Sequence, residues 1–182
     1  MELIKKLVGC IFATATILVL SSNFVLAEDT LAATSVKEID SYELFWPMVA
    51  GKTMKDSIFP LKLFKENFQA LFVFKSAPKS EYHLVLATKR FLELEKLISD
   101  KENLLSSKTL DKALKQLSVF RKNLELSENS KTITSNRRAE IKNKLENLKV
   151  FLPQLAIKGE SGLVDRINDA KSLVDQSLKD LN

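Results

Sequence analysis

The sequence predicts an all-α fold: an antiparallel helical bundle of about five helices behind an N-terminal signal segment. Three observations carry this. From Pro60 onward, apolar residues recur at steps of three and four, so that each stretch lines one side of a helix. No strand-type alternation of useful length and no internal repeat interrupts them. The three glycines and four prolines among residues 28–182 fall mainly at joints between the stretches. Amphipathic segments joined by short polar turns hide their stripes from water only against one another, and a bundle is the economical way to do so.

The first element is a targeting signal. Lys5 and Lys6 supply a basic start, and Leu7 to Leu20 form an apolar run of 14 residues. The polar break Ser21-Ser22-Asn23 follows, and Val25-Leu26-Ala27 offers a cleavage site with small or apolar residues at −3 and −1. Cleavage after Ala27 leaves 155 of the 182 residues. If retained, Leu7–Ala27 is 21 residues long, close to the roughly 20 that span a bilayer, and would anchor the chain. The expected location is therefore exported (secreted, at the cell surface or in the periplasm), with membrane association only through an uncleaved N-terminal segment. Cys10, the sole cysteine, sits in "LVGC", which has a lipoprotein-like look. Most of the apolar run follows it rather than precedes it, so it reads as a small apolar residue of the signal. Residues 28–182 then hold no cysteine, hence no disulfide and no thiol chemistry.

Residues 28–41 read as a flexible lead-in to a helical domain over 42–182. Tyr42 to Pro60 mixes Phe45, Trp46, Met48, Val49 and Ile58 with Pro47, Gly51 and Pro60, the composition of a packed irregular segment covering the end of the bundle. A first helix starts at Pro60 and carries Leu61, Phe64, Phe68 and Leu71 on one side until about Phe74. Ser76 is the expected cap of a second helix, Ala77 to Ser99, whose stripe is Leu84, Ala87, Phe91, Leu94 and Ile98. Val85 and Leu92 widen that stripe, marking this helix as the most buried. A polar stretch at 99–109, with Ser107 or Thr109 as cap, leads to a third stripe of Leu110, Ala113, Leu117, Phe120 and Leu124. Residues 127–136 read as a turn. The fourth stripe is Ile141, Leu145, Leu148, Leu152 and Leu155, with Pro153 expected to kink or end the helix. Gly159 to Gly162 forms the last joint, with Ser161 as cap, before Leu163, Ile167, Ala170, Val174, Leu178 and Leu181.

Within residues 42–98, four elements occur in a recognisable order: Phe59-Pro60-Leu61-Lys62, Phe72-Val73-Phe74, the charged cap Ser76 to Glu81, and His83-Leu84-Val85-Leu86-Ala87 with Arg90-Phe91-Leu92-Glu93. In this the chain resembles an uncharacterised family of exported bacterial helical domains, a domain of unknown function with an aromatic-Pro-Leu-Lys helix start. Phe91 stands where that pattern more often has leucine, and Ser76-Ala77-Pro78 replaces a tighter Asp-Pro cap. The resemblance covers about a third of the chain and implies an extracytoplasmic helical fold. It implies no catalytic residue and no ligand.

The chain's net charge is +5, and acids and bases alternate along the helices, which describes a solvated surface rather than a nucleic-acid stripe. His83 is the only histidine, so neither a nitrogen-ligated metal site nor a histidine-based triad has its parts, and His83 reads as structural. No glycine-rich phosphate cradle is present, and no cofactor is expected. Carboxylates are numerous, but Glu93, Glu95, Glu140 and Glu146 read as helix-surface residues. Arg90 reads as a salt-bridge partner of Glu93 or of a neighbouring helix. The aromatic block is the most pointed feature: five of the eleven phenylalanines lie between Phe59 and Phe74. Core packing is its ordinary use. The functional use is an apolar surface for a protein or cell-envelope partner, with Trp46, Phe59, Phe64, Phe68 and Phe72 as the candidate contacts. The expected function is thus a non-enzymatic, extracytoplasmic interaction or scaffold domain. Its rivals are a chaperone-like binder of exported polypeptides and, further off, a wall-directed hydrolase working with carboxylates.

Overall fold

The computed structural model of the chain describes residues 40–181, all within the unit Lys37–Asn182. The signal segment and nearly all of the lead-in lie outside the described residues. Six helices occur among them, and no strand: α1 (Ser41–Phe45), α2 (Phe59–Ala70), α3 (Ser76–Ser99), α4 (Asn103–Asn129), α5 (Ser135–Lys158) and α6 (Ser161–Asp180). The fold is an all-α helical bundle.

Four long helices make the bundle. Every stripe residue from Leu84 to Leu181 is buried except Val85 and Ile98, which are half-buried, Ile98 against the same core. Helix α3 buries the most residues, as its doubled stripe implies. Short connections fold α3 with α4, and α5 with α6, into antiparallel hairpins. The two hairpins lie side by side in the same sense, and ion pairs record the register. Arg166 near the start of α6 binds Asp111 near the start of α4, while Arg121 reaches Asp180 at the far end of α6. Lys144 meets Glu81 near the starts of α5 and α3, and Lys158 meets Glu95 near their ends. Neighbours are therefore antiparallel within a hairpin and parallel between hairpins.

Several boundaries differ from the sequence reading, each for a local reason. Helix α4 begins at Asn103, well before Ser107, because its first turns bury Ser106 and Thr109 instead of large apolar side chains. The break before it is a tight helix end at Lys101, which has φ 58°, with Lys101 N–H donating to Ile98 O (3.0 Å) and Glu102 N–H to Leu97 O (2.9 Å). Helix α4 ends the same way at Lys131, φ 51°, so the turn expected over 127–136 shrinks to 130–134. Helix α5 does not end at Pro153 but runs on to Lys158, since Leu152 and Leu155 are both wholly buried and packing holds the turn that lacks an amide hydrogen bond. Ser76 and Ser161 are first helical residues, not caps; Thr134 caps α5 by accepting from Arg137 N–H (3.4 Å).

Residues 41–58 pack against the bundle, with Leu44 and Phe45 along the flank of α5 and Lys55 at the α3–α4 end. Phe45 is buried edge-on against Phe151 of α5 (5.2 Å between centroids), and Asn147 donates to Leu44 O at 2.8 Å. At the α3–α4 end Lys55 pairs with Glu102 at 3.0 Å and with Asp100 at 3.7 Å.

Two stability outcomes follow. Phe91→Ala empties a fully buried site among the four stripes and is expected to cost about 3–5 kcal/mol in chemical denaturation. Lys101→Gly and Lys131→Gly remove the side-chain clash of the left-handed backbone, and each is expected to raise stability by about 0.5–1 kcal/mol.

Candidate functional site

Helix α2 is amphipathic, yet it does not bury its apolar side. At 3.6 residues per turn, Leu61, Phe64, Phe68 and Leu71 fall within an arc of roughly 80°, with Glu66 roughly opposite. Burial follows the reverse of the usual rule: Glu66 is 8 % exposed, while Leu61 and Leu71 are 68 %, Phe64 67 % and Phe68 53 % exposed. The ridge continues into the turn after the helix through Phe72 (63 %) and Phe74 (84 %). Its rings support one another. Phe64 and Phe68 stack at 6.2 Å, and Phe72 meets Phe68 edge-on at 5.0 Å.

The expectation that this stripe closes against the other helices is therefore overturned. The reason lies on the opposite side of the helix, in a set of buried charges. Arg90 of α3 has a nearly inaccessible guanidinium. Its Nη1 donates to both carboxylate oxygens of Glu93, at 2.6 and 2.8 Å, and its Nη2 donates to Glu66 of α2. Lys62 of α2 donates to Glu93, and at 2.9 Å to Lys52 O in the segment before α2. Tyr82 adds a bond from its hydroxyl to Glu66 O at 2.7 Å. Buried ions cost so much when unpaired that α2 must turn its Lys62–Glu66 side inward. The apolar arc, lying opposite, then faces out. Glu93 is thus not a solvated surface acid but a wholly buried one.

Phe59 is the exception among the aromatic candidates. It is only 5 % exposed and lies beneath three cations, Lys112 (5.1 Å to the ring centroid), Arg90 (5.4 Å) and Lys62 (5.8 Å). It anchors α2 and takes no part in the ridge. Burial, and next the neighbouring Arg90, holds the Lys112 ammonium below the usual lysine value, while burial and the Glu66 charge push the Tyr82 phenol above its own. Trp46 is exposed, but its ring contact is Tyr42 at 4.9 Å, in a separate patch beside Pro47. The structure thus groups Phe64, Phe68 and Phe72, and sets Phe59 and Trp46 apart from them. Leu61, Leu71 and Phe74 complete the ridge. The 3–4 spacing of the two leucines was a signal for them, but not for their outward direction.

Beside the anchor a pocket of about 330 Å³ is lined by Glu66, His83, Arg90, Lys112, Lys115 and Gln116, among others. His83 Nδ1 lies 2.7 Å from Gln116 Oε1, tying α3 to α4, and both nearby carboxylates already bind cations. Among the described residues no group of three or more histidine, cysteine or acidic side chains is placed to hold a metal ion. No helix among them is long and apolar enough to cross a membrane. No family model, curated protein or solved structure matches the chain.

Arg90→Met leaves buried Glu66 without its cation and Glu93 with Lys62 alone, and is expected to cost about 3–5 kcal/mol, with limited proteolysis opening new cuts within residues 59–75. Arg90→Lys should rescue little, because one ammonium cannot span Glu66 and Glu93 in fork geometry.

Proposed function

We propose that this chain works by docking, as a non-enzymatic interaction domain acting outside the cytoplasm, and that the ridge of α2 is its contact surface. One observation carries the reading: a helix with a clear apolar side is held so that this side faces water. An ordinary surface scatters single apolar side chains. Here the four phenylalanines of the ridge alone expose on the order of 500 Å², the scale of the largest patch on a typical monomer, and two leucines add to it. The network around Arg90 keeps the ridge in one orientation, so little conformational freedom remains to be lost when a partner arrives.

The test separates contact surface from core. Phe64→Ser with Phe68→Ser is expected to leave unfolding free energy within about 0.5 kcal/mol of the parent chain. The same double variant should abolish the fluorescence gain of an environment-sensitive apolar dye. A loss of more than about 2 kcal/mol would mean that these rings are core and would end the docking reading. Turnover of a wall polymer, lost on Glu66→Gln with folding intact, would replace it with the carboxylate-enzyme rival.

A further inference from the structure

We infer that the partner of the ridge is the surface of an anionic lipid bilayer, into whose interface α2 lies flat with its phenylalanines among the acyl chains. The inference rests on the docking reading above and names the occupant. Shape comes first. The outward rings all stand on one helix and the turn that follows, which makes a ridge, whereas a peptide-binding groove needs two walls. A single helix with Phe and Leu on one side and charge on the other is the form that settles into a membrane interface, burying its apolar side about 5–10 Å deep. The charged side of α2 faces the bundle, so its axis can lie along such an interface with the rest of the domain above it.

Charge is the second argument. Between Phe59 and Lys79 the only acid is Glu66, and Arg90 holds it inside. Lys65 and Lys75 are exposed beside the rings, and half-buried Lys79 follows on the first turn of α3. Lysines bordering an apolar strip with no competing acid complement a negative headgroup layer, at about 1 kcal/mol each. The same pattern disfavours a second copy of the chain, because pairing two ridges would bring the lysines of both together without an intervening carboxylate.

The test uses the full-length chain with a reporter on the ridge, so that attachment through the N-terminal segment is not mistaken for insertion of α2. In Trp46→Phe with Phe68→Trp, the reporter is the only tryptophan. On vesicles of phosphatidylcholine and phosphatidylglycerol its emission is expected to shift to shorter wavelength and to be quenched by brominated acyl chains. Replacing Lys65, Lys75 and Lys79 together by glutamine should lower the ratio of inserted to uninserted ridge about 100-fold, as should neutral vesicles. A reporter that stays in water on vesicle-bound chain overturns the proposal. So does a shift without lipid that grows with protein concentration, which would assign the ridge to a second copy. A concentration-independent shift without lipid would assign it to residues 1–39 of the same chain. A shift with unfolded polypeptide but not with vesicles would assign it to chaperone-like binding. With a second copy or an unfolded polypeptide the docking reading stands; it falls too if residues 1–39 cover the ridge, if Phe64→Ser with Phe68→Ser proves strongly destabilising, or if Glu66→Gln abolishes a turnover with folding intact.

Discussion

A guanidinium removed from water must keep its carboxylates, and from that requirement the placement of α2 follows. Arg90 is nearly inaccessible and holds Glu93 on its own helix and Glu66 on another. Replacing such a triad by apolar side chains of similar volume can be neutral or even stabilising in other proteins, so stability alone is a poor account of it. Orientation is a better one. An apolar contact tolerates sliding and rotation, whereas a forked hydrogen-bonded pair fixes which side of a helix faces in. Lys62, Tyr82 and the cation-capped ring of Phe59 reinforce the same orientation. The charges are spent on direction, and the direction they impose is the one that exposes the aromatic ridge.

The bundle beneath does not need the ridge. Its core runs through the stripes of α3 to α6, with Phe45 tucked beside Phe151, and none of Leu61, Phe64, Phe68 or Leu71 belongs to it. The exposed ridge and the stabilising core are therefore made of different residues of one domain. The exposed rings Phe64 and Phe68 of α2 are open to replacement at little cost to folding, while buried Phe59 and the stripes are not.

Much of this was legible from residue spacing. The four long stripes were read residue by residue, because a 3–4 repeat has one geometric meaning when the surface opposite is charged. What the spacing could not convey was which side of α2 faces inward. Periodicity gives an amphipathic axis, and the default assigns the apolar pole to the core; only the long-range pairing of Glu66 with Arg90, 24 residues on, reverses it. The helix ends failed for a different reason. Lys101 and Lys131 occupy left-handed positions that glycine usually marks, so the polar stretches at 99–109 and 127–136 showed a joint without marking its exact residue. Ser106 and Thr109, small polar residues buried in the opening turns of α4, left those turns without an apolar signature.

The side-by-side hairpins have a kinetic consequence. The most intimate pairings, α3 with α4 and α5 with α6, join segments separated by loops of only a few residues, whose closure costs little chain entropy. Each hairpin is able to form as a local event, and zipping the two along their parallel edges is the later, longer-range one. Helix α2 contributes none of its ridge to either step. Its charged station is built on α3 alone, where Arg90 and Glu93 lie one turn apart, so the outward stance of the aromatic surface depends on that one helix and not on the zipping of the two hairpins.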